Sequence, residues 1–326
     1  MKKGKILTNP LIRSVLRAPF PQREKEELVR DGAVLGRGST TDAPLFGAGM
    51  STTVYGREHA EALSFYRSLN SALTAGIEPE SVLLFLTLPV SETETVLADR
   101  MRCFQNLAEG ENLRISGGHT TFSENVRVPV LGTVISGKFA KKEACPQKLS
   151  GLDLVIAGTA GAAGASLYLE EHRKTLRERF TDAFLDGAKI REEELSVRKA
   201  AGILSEEGAI MHDISEGGVF SALYTFAEGL GTGFSVDLYA VPILQETIEI
   251  CNFFDVNPYE MLSTGALLAA VRDGKSCVGK LTDAGIRAAA VGKLTEGRKK
   301  VILRGEEESF LERPGQDPVM LLQSFG

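Results

Sequence analysis

The residues best suited to chemistry in this chain form one stretch, residues 211–218. A short apolar run is followed by His212, Asp213 and the pair Gly217–Gly218, after which apolar residues recur at helical spacing. A helix that begins on two glycines exposes backbone N–H groups and the positive end of its macrodipole, which suits an anionic ligand. The same residues also fit a helix capped by Asp213 or Ser215 that binds no ligand.

A second glycine pair, Gly117–Gly118, follows a short apolar run and precedes His119 and Thr120. This spacing predicts a tight turn whose amides, imidazole and hydroxyl groups are suited to a phosphate or a metal-bound water. An unperturbed imidazole titrates near neutral pH, so His119 is a candidate catalytic residue. A structural histidine in a plain turn is the alternative.

A third glycine-bearing loop has the pattern Gly36-x-Gly38-x-x-x-Asp42. Such a loop wraps a phosphate when its carboxylate holds a divalent cation that bridges phosphate oxygens, and a surface turn is the alternative. The spacing matches neither a P-loop nor a dinucleotide fingerprint. Asn70, near the end of the first long helical pattern, offers a side-chain amide to a ligand or simply occupies a polar helix end.

Composition excludes several classes of function. The chain has 326 residues, a net charge of −6, 43% hydrophobic and 25% charged residues, which is typical of a globular protein of two domains. The acidic balance argues against nucleic-acid binding, and no apolar run approaches the ~20 residues of a membrane span. The cysteines are widely spaced and form no CxxC pair, which argues against a zinc site and favours reduced thiols in the cytoplasm.

Helical and strand patterns alternate in both halves, which predicts an α/β and α+β protein. A lysine-rich stretch with proline and glycine at residues 138–151 predicts a domain boundary, so that the domains comprise residues 1–147 and 148–326. The capping pair Ser91 and Glu94 predicts a helix start. Residues 82–88 predict a buried strand, and residues 166–207 are expected to be mostly helical.

Taken in order, these motifs resemble the aminoimidazole ribonucleotide (AIR) synthase superfamily. The likeness is greatest to its hydrogenase maturation factor E-like and AIR synthase-related members, and it extends over nearly the whole chain. Its specificity comes from the order and spacing of the motifs rather than from any single one. The motifs are Gly36-x-Gly38-x-x-x-Asp42, Asn70-Ser71, Gly117-Gly118-His119-Thr120, Met211-His212-Asp213-x-x-Glu216-Gly217-Gly218 and Pro258-x-x-Met261-Leu262-Ser263-x-Gly265.

This resemblance implies a two-domain AIR-synthase-like fold. The N-terminal α/β domain would pair with its copy to close a dimeric barrel, and the C-terminal domain would be α+β with a ferredoxin-like layout. ATP and Mg2+ are the implied cofactors and a homodimer the implied assembly, with an unknown small molecule as substrate. The implied reaction activates an oxygen of an amide or acid by phosphoryl transfer. A weakened nucleotide- or metabolite-binding regulatory protein, or a structural subunit that keeps only the dimer, is the alternative.

Position by position, the resemblance also implies roles for residues of this chain. Asp42 would be the metal ligand, and Asp42 and His119 would be the catalytic residues. Contacts to the nucleotide and substrate would come from Gly36, Gly38, Asn70, Gly117, Gly118, Thr120, His212, Asp213, Gly217 and Gly218.

Three departures from the family pattern weaken the implied metal site. Ser71 stands where a carboxylate is expected, His119 replaces an acid, and residues 50–53 carry no carboxylate. Because Mg2+ prefers carboxylate oxygens, these changes predict weak binding of metal–ATP. No cysteine follows Cys277, so carbamoyl transfer to a C-terminal cysteine, as in maturation factor E, is not expected.

Overall fold

The computed structural model describes residues 31–37, 45–55, 58–140 and 148–324. The chain divides into two compact units, one spanning Asp31–Lys142 and the other including Glu143–Gly326. No helix in the described part of either unit is both long and apolar enough to cross a lipid bilayer.

The N-terminal unit is built on a five-stranded sheet with the strand order β1-β2-β5-β3-β4. Strands β3 and β4 pair in parallel, and the other neighbours pair antiparallel. Helix α2 makes the crossover that a parallel pair requires. The elements are β1 (Ala33–Arg37), β2 (Leu45–Thr53), α1 (Ala60–Thr74), β3 (Ile77–Pro89), α2 (Glu94–Gly110), β4 (Arg114–Ser123) and β5 (Val130–Phe139).

Helix α1 lies unusually close to this sheet because small residues form its sheet-facing side. Ser64 and Ser68 are four residues apart and fully buried. The Ser68 hydroxyl donates to the carbonyl oxygen of Thr133 at 2.7 Å, and the Ser64 and Thr133 hydroxyls are 2.8 Å apart. On β2, a Cβ atom at Gly49 would lie 2.3 Å from the carbonyl oxygen of Ser68, so only glycine fits there.

The opposite face of the sheet carries exposed apolar side chains. Met50 on β2 is 57% exposed and Phe85 on β3 is 47% exposed. The strand register connects them through β5, because Met50 pairs with Val134, which also pairs with Leu83. Alternate residues of β3, such as Leu84, are buried, as expected for a sheet covered by helices on one face only.

The C-terminal unit contains a seven-stranded sheet with the order β12-β11-β8-β10-β6-β9-β7. Its strands are β6 (Asp153–Ala157), β7 (Ile210–Ile214), β8 (Gly233–Asp237), β9 (Ala266–Val271), β10 (Ala288–Thr295), β11 (Lys300–Arg304) and β12 (Glu307–Phe310). Its α-helices are α3 (Ala162–Leu176), α4 (Asp182–Gly187), α5 (Arg198–Glu206), α6 (Gly218–Leu230), α7 (Gln245–Phe253) and α8 (Gly274–Asp283). Short 3-10 helices occur at Glu192–Glu194, Leu238–Ala240, Pro258–Glu260 and Pro318–Ser324.

Four strands of this sheet, in the order β7-β9-β6-β10, have the ferredoxin-like layout implied by the resemblance. Each neighbouring pair in this set is antiparallel. Strand β9 is buried along its whole length, as its continuous apolar run indicates. Strands β8, β11 and β12 extend the sheet beyond β10.

One local prediction from the sequence needs correction. Helix α2 is capped by Thr93, whose side-chain oxygen accepts the N–H of Val96 at 3.3 Å, and not by Ser91. Residues 166–207 are mostly helical, as predicted, and contain parts of three α-helices separated by irregular segments. The β11–β12 hairpin was not predicted, because its strands are short and largely exposed.

Replacement of Gly49 by alanine tests the contact between α1 and the sheet. Since the new methyl group would overlap the helix backbone, we expect Gly49→Ala to lower the free energy of unfolding by about 1–3 kcal/mol. Urea unfolding followed by circular dichroism measures this change. Gly110→Ala is the control, because a Cβ atom there meets no atom within 4 Å. Equal stability of the two variants would contradict the close contact.

Candidate functional site

The pair Gly217–Gly218 begins helix α6 directly after strand β7, as the sequence predicts. Gly217 has φ of 83° and Gly218 has φ of 60°, in the left-handed region that favours glycine. A Cβ atom at Gly218 would also lie 2.6 Å from the carbonyl oxygen of Tyr259. The two glycines therefore allow the chain to change direction sharply, and Gly218 also allows the Pro258–Glu260 helix to pack closely against it.

A carboxylate from the C-terminal segment binds the first N–H of this helix start. The Gly217 N–H donates to Asp317 Oδ2 at 2.7 Å, and the Val319 N–H donates to Asp317 Oδ1 at 2.9 Å. Asp317 is only 4% exposed. The expected cap by Asp213 or Ser215 is therefore wrong, because the capping carboxylate lies 100 residues away along the chain.

Burial raises the pKa of Asp317 to about 7, since the charged carboxylate loses its hydration there. Backbone N–H groups of Gly217, Val319 and Leu262 act in the opposite direction by stabilising the charge. The nearby negative charge of Glu216 raises the pKa further. Near neutral pH this group therefore exchanges between the carboxylate and the neutral acid.

Ser263 joins the start of α6 to the start of α3. Its hydroxyl accepts the N–H of Gly161, the residue before α3, at 2.8 Å and donates to the Met261 carbonyl oxygen at 2.8 Å. Its own N–H donates to the carbonyl oxygen of Ser215 at 3.2 Å. Because Ser263 is fully buried, one serine fixes the positions of two helix starts.

His212 lies in the core of the C-terminal unit. It is 6% exposed, and its ring stacks on Phe226 of α6 with the ring centroids 5.8 Å apart. Side chains alternate along β7, so Asp213 lies on the other face of the strand. Packing against α6 explains the position of the imidazole, and ligand contact by His212 or Asp213 stays a prediction.

In the N-terminal unit, Gly117–Gly118 lie within strand β4, so the predicted tight turn is wrong. The parallel pairing with β3 continues to Ser123, past a bulge at Ser116. A Cβ atom at Gly118 would lie 1.9 Å from the carbonyl oxygen of Leu84. The close approach of two strands therefore requires glycine at this position.

His119 and Thr121 are exposed on β4, at the edge of the described sheet. His119 Nε2 and Thr121 Oγ1 are 2.9 Å apart. His119 pairs with Phe85 in the register, which places it beside the exposed apolar face. Thr120 is also exposed but lies on the other face of the strand. The imidazole is therefore open to a ligand and is oriented by its neighbour.

Of the remaining predicted site residues, two lie within the described ranges and two lie outside them. Asn70 is fully buried in α1, and its carbonyl oxygen accepts the Thr74 hydroxyl at 2.9 Å. Gly36 belongs to β1. Gly38 and Asp42 lie outside the described residues, so the predicted phosphate loop and its metal ligand stay predictions.

The described residues do not fit the implied Mg2+ site. Across the described ranges, no three His, Cys, Asp or Glu side chains are grouped to hold a metal ion. On β2, where a metal-binding aspartate is implied, the Arg67 guanidinium donates to the Thr52 carbonyl oxygen at 3.0 Å and to the Thr53 hydroxyl at 3.2 Å. A cation thus lies beside this strand, and carboxylates are the ligands that Mg2+ prefers.

Comparison with known proteins shows a family similarity in the C-terminal unit. Residues 150–304, which include the starts of α3 and α6, match the AIR synthase related protein, C-terminal domain. Over these residues the chain is similar to the AIR synthase superfamily. The chain is also similar to a putative hydrogenase expression/formation protein of Methanocaldococcus jannaschii, with 22% identity over 263 residues, which are 77% of this chain and 75% of the relative.

Solved structures confirm the AIR-synthase-like fold. HypE in a HypE–HypF complex superposes with a TM-score of 0.75 at 15% identity, over 93% of this chain and 99% of that chain. The hydrogenase maturation protein HypE in complex with ATP gives a TM-score of 0.71 at 15% identity, over 98% of both chains. At 15% sequence identity, these superpositions show a similar fold and no more.

Asp317 is the residue of this site that the sequence motifs missed. Its only local signal is the Asp317–Pro318 dipeptide, which precedes a short apolar run and is typical of a turn. The contact with Gly217 joins residues far apart in the chain, and no spacing rule covers such a distance. Ser263 did belong to a recognised motif, but its hydrogen bonds to two segments became visible only in the structure.

Replacement of Ser263 by alanine tests the coupling of the two helix starts. The change leaves the buried Gly161 N–H without its acceptor, so we expect the free energy of unfolding to fall by about 1–3 kcal/mol. Urea unfolding curves give the value. Ser205→Ala, at an exposed position of α5, is the control and should change stability by less than about 0.5 kcal/mol. A Ser263→Ala protein as stable as this control would disprove the role of the serine.

Proposed function

We propose that this chain binds ATP and transfers its terminal phosphoryl group to an oxygen of an amide or acid in a small substrate. The main support is the family match over residues 150–304, in which the Gly217–Gly218 motif forms the predicted strand-to-helix junction. HypE, which has the same fold, has been solved in complex with ATP.

The exposed His119 imidazole is the described group best placed to meet a phosphate. Phosphoryl transfer depends mainly on positioning the reactants and on stabilising phosphate charge. Thr121 orients the ring through its hydroxyl. His119 would donate an N–H to a phosphate oxygen in this arrangement.

A second candidate is a regulatory protein that binds a nucleotide or metabolite without turnover. The observation that favours it is Arg67, whose guanidinium occupies the neighbourhood of Thr52 and Thr53 where a metal carboxylate is implied. A site with few metal ligands retains affinity for phosphate groups more easily than it retains catalysis.

We further propose that the chain forms a homodimer through the open face of its N-terminal sheet. Contiguous exposed apolar side chains mark interaction surfaces, and Met50, Leu83, Phe85 and Val134 share this face through the strand register. Burying Met50 and Phe85 against a second copy would remove them from water, which favours association.

Nucleotide binding is tested by thermal unfolding with and without Mg-ATP. At 100 times the dissociation constant a ligand adds about 2.7 kcal/mol, which corresponds to a rise in Tm of roughly 2–4 °C for domains of this size. We expect His119→Ala to reduce the shift, and Ser116→Ala, at an exposed position on the same strand, to retain it.

Formation of ADP from ATP distinguishes the two candidates. A shift accompanied by conversion of ATP to ADP supports the enzyme, and a shift without turnover supports the regulatory protein. Unchanged Tm values with ATP, ADP and inorganic phosphate would rule out both.

The proposed dimer is tested by sedimentation over a range of protein concentrations. We expect a species of twice the 35.1 kDa chain mass, and Phe85→Asp should shift it to the monomer by placing a charge in the apolar face. Phe310→Asp is the control, because Phe310 is 60% exposed but lies on β12 of the other unit. A dimer that survives Phe85→Asp would place the interface elsewhere.

A further inference from the structure

Arg67 of helix α1 is a buried cation beside the end of strand β2. Its guanidinium donates through Nη1 to the Thr52 carbonyl oxygen at 3.0 Å and to the Thr53 hydroxyl at 3.2 Å. Its Cζ atom lies 5.7 Å from the centroid of the Tyr55 ring, within the range of a cation–π contact. Arg67 and Tyr55 are each only 9% exposed. One short segment of the chain therefore fixes the positive charge in place.

Two positions where the resemblance implies a metal-binding carboxylate adjoin this cation. One lies within residues 50–53, and Arg67 contacts the end of that stretch. The other is Ser71, which follows Arg67 by four residues on α1 and so lies on the same side of the helix. A guanidinium is thus present where the resemblance implies negative side chains.

The contacts of Arg67 oppose a divalent cation at this corner of the N-terminal unit. Carbonyl and carboxylate oxygens are the ligands that suit Mg2+, but the Thr52 carbonyl oxygen already accepts a guanidinium N–H. Arginine stays charged at every physiological pH, and a fixed positive charge repels a second cation nearby. Both the donor set and the charge therefore disfavour a metal ion here.

The helix that carries Arg67 is itself held on the sheet. The hydroxyl of the next residue, Ser68, donates to the Thr133 carbonyl oxygen at 2.7 Å, and the Ser64 and Thr133 hydroxyl groups are 2.8 Å apart. The guanidinium therefore cannot move away from β2 without breaking its own hydrogen bonds or those that hold α1.

We infer that Arg67 takes the place of the divalent cation, so that this chain binds ATP as the metal-free anion. The inference rests on the proposed function, since it names the form of the nucleotide that the same site accepts. The negative charge of the phosphate groups requires a positive charge nearby, and a preorganised guanidinium supplies one. Binding then needs no metal ion, whether or not phosphoryl transfer follows.

Calorimetric titration of the unmodified protein with ATP, once with EDTA and once with excess Mg2+, tests this inference. Mg2+ converts free ATP to metal–ATP, so we expect the apparent Kd to be no lower with Mg2+ than with EDTA. A Kd that is lower with Mg2+ would overturn the inference and leave the proposed function standing. Absence of ATP binding under both conditions would overturn the two together.

Replacement of Arg67 separates its charge from its hydrogen bonds. Arg67→Met removes both, and we expect the Kd for ATP in EDTA to rise about tenfold or more, as for a unit charge roughly 10 Å from a phosphate at an effective dielectric constant of about 20. Arg67→Lys keeps the charge and should retain most of the affinity. An equal loss in both variants would overturn the role of the charge, and so would an unchanged Kd in Arg67→Met.

Arg102→Met is the matched control. Arg102 is exposed on α2 and pairs with Asp99, with 2.7 Å between Nη1 and Oδ1, so its replacement removes one positive charge from the same unit without touching β2. This variant should bind ATP as the unmodified protein does, and a loss equal to that of Arg67→Met would overturn the assignment to Arg67. Circular dichroism establishes that each variant is folded. If Arg67→Met does not fold, the comparison of EDTA with Mg2+ in the unmodified protein still decides.

Discussion

The hydrogen bond between the Gly217 N–H and the buried Asp317 carboxylate is the interaction on which the C-terminal unit depends. A helix start leaves donors that must be satisfied once they are removed from water. Here the acceptor comes from the far end of the chain and not from the preceding loop. The geometry of the start of α6 is therefore set by tertiary structure, together with the serine hydroxyl of residue 263 that joins it to α3.

This arrangement changes the electrostatics expected of a glycine-rich helix start. Such a start is suited to an external anion because its donors are free. In this chain a carboxylate already occupies it, and Glu216 adds a second negative group nearby. Any anionic ligand at this position must compete with a group that is covalently part of the protein.

The sequence predicts those parts of the structure that depend on neighbouring residues, and it misses contacts between residues that are far apart in the chain. Helix α6 and the strand over residues 82–88 were predicted because their apolar patterns, with glycine or proline beside them, are local signals. Gly117–Gly118 were assigned to a turn because glycine pairs are common there, whereas the close parallel neighbour Leu84 requires a glycine inside a strand. Only tertiary structure shows that contact, and the same holds for Asp317.

The serine-lined contact of α1 has a consequence for the residues that follow on that helix. Apolar packing is non-directional and tolerates small rotations, whereas the hydroxyl bonds of Ser64 and Ser68 to β5 have fixed directions. Helix α1 can therefore neither slide nor turn on the sheet without breaking them. Arg67 and Asn70 are consequently carried on a rigid support, and substitutions near them would be expected to alter chemistry locally without displacing the helix.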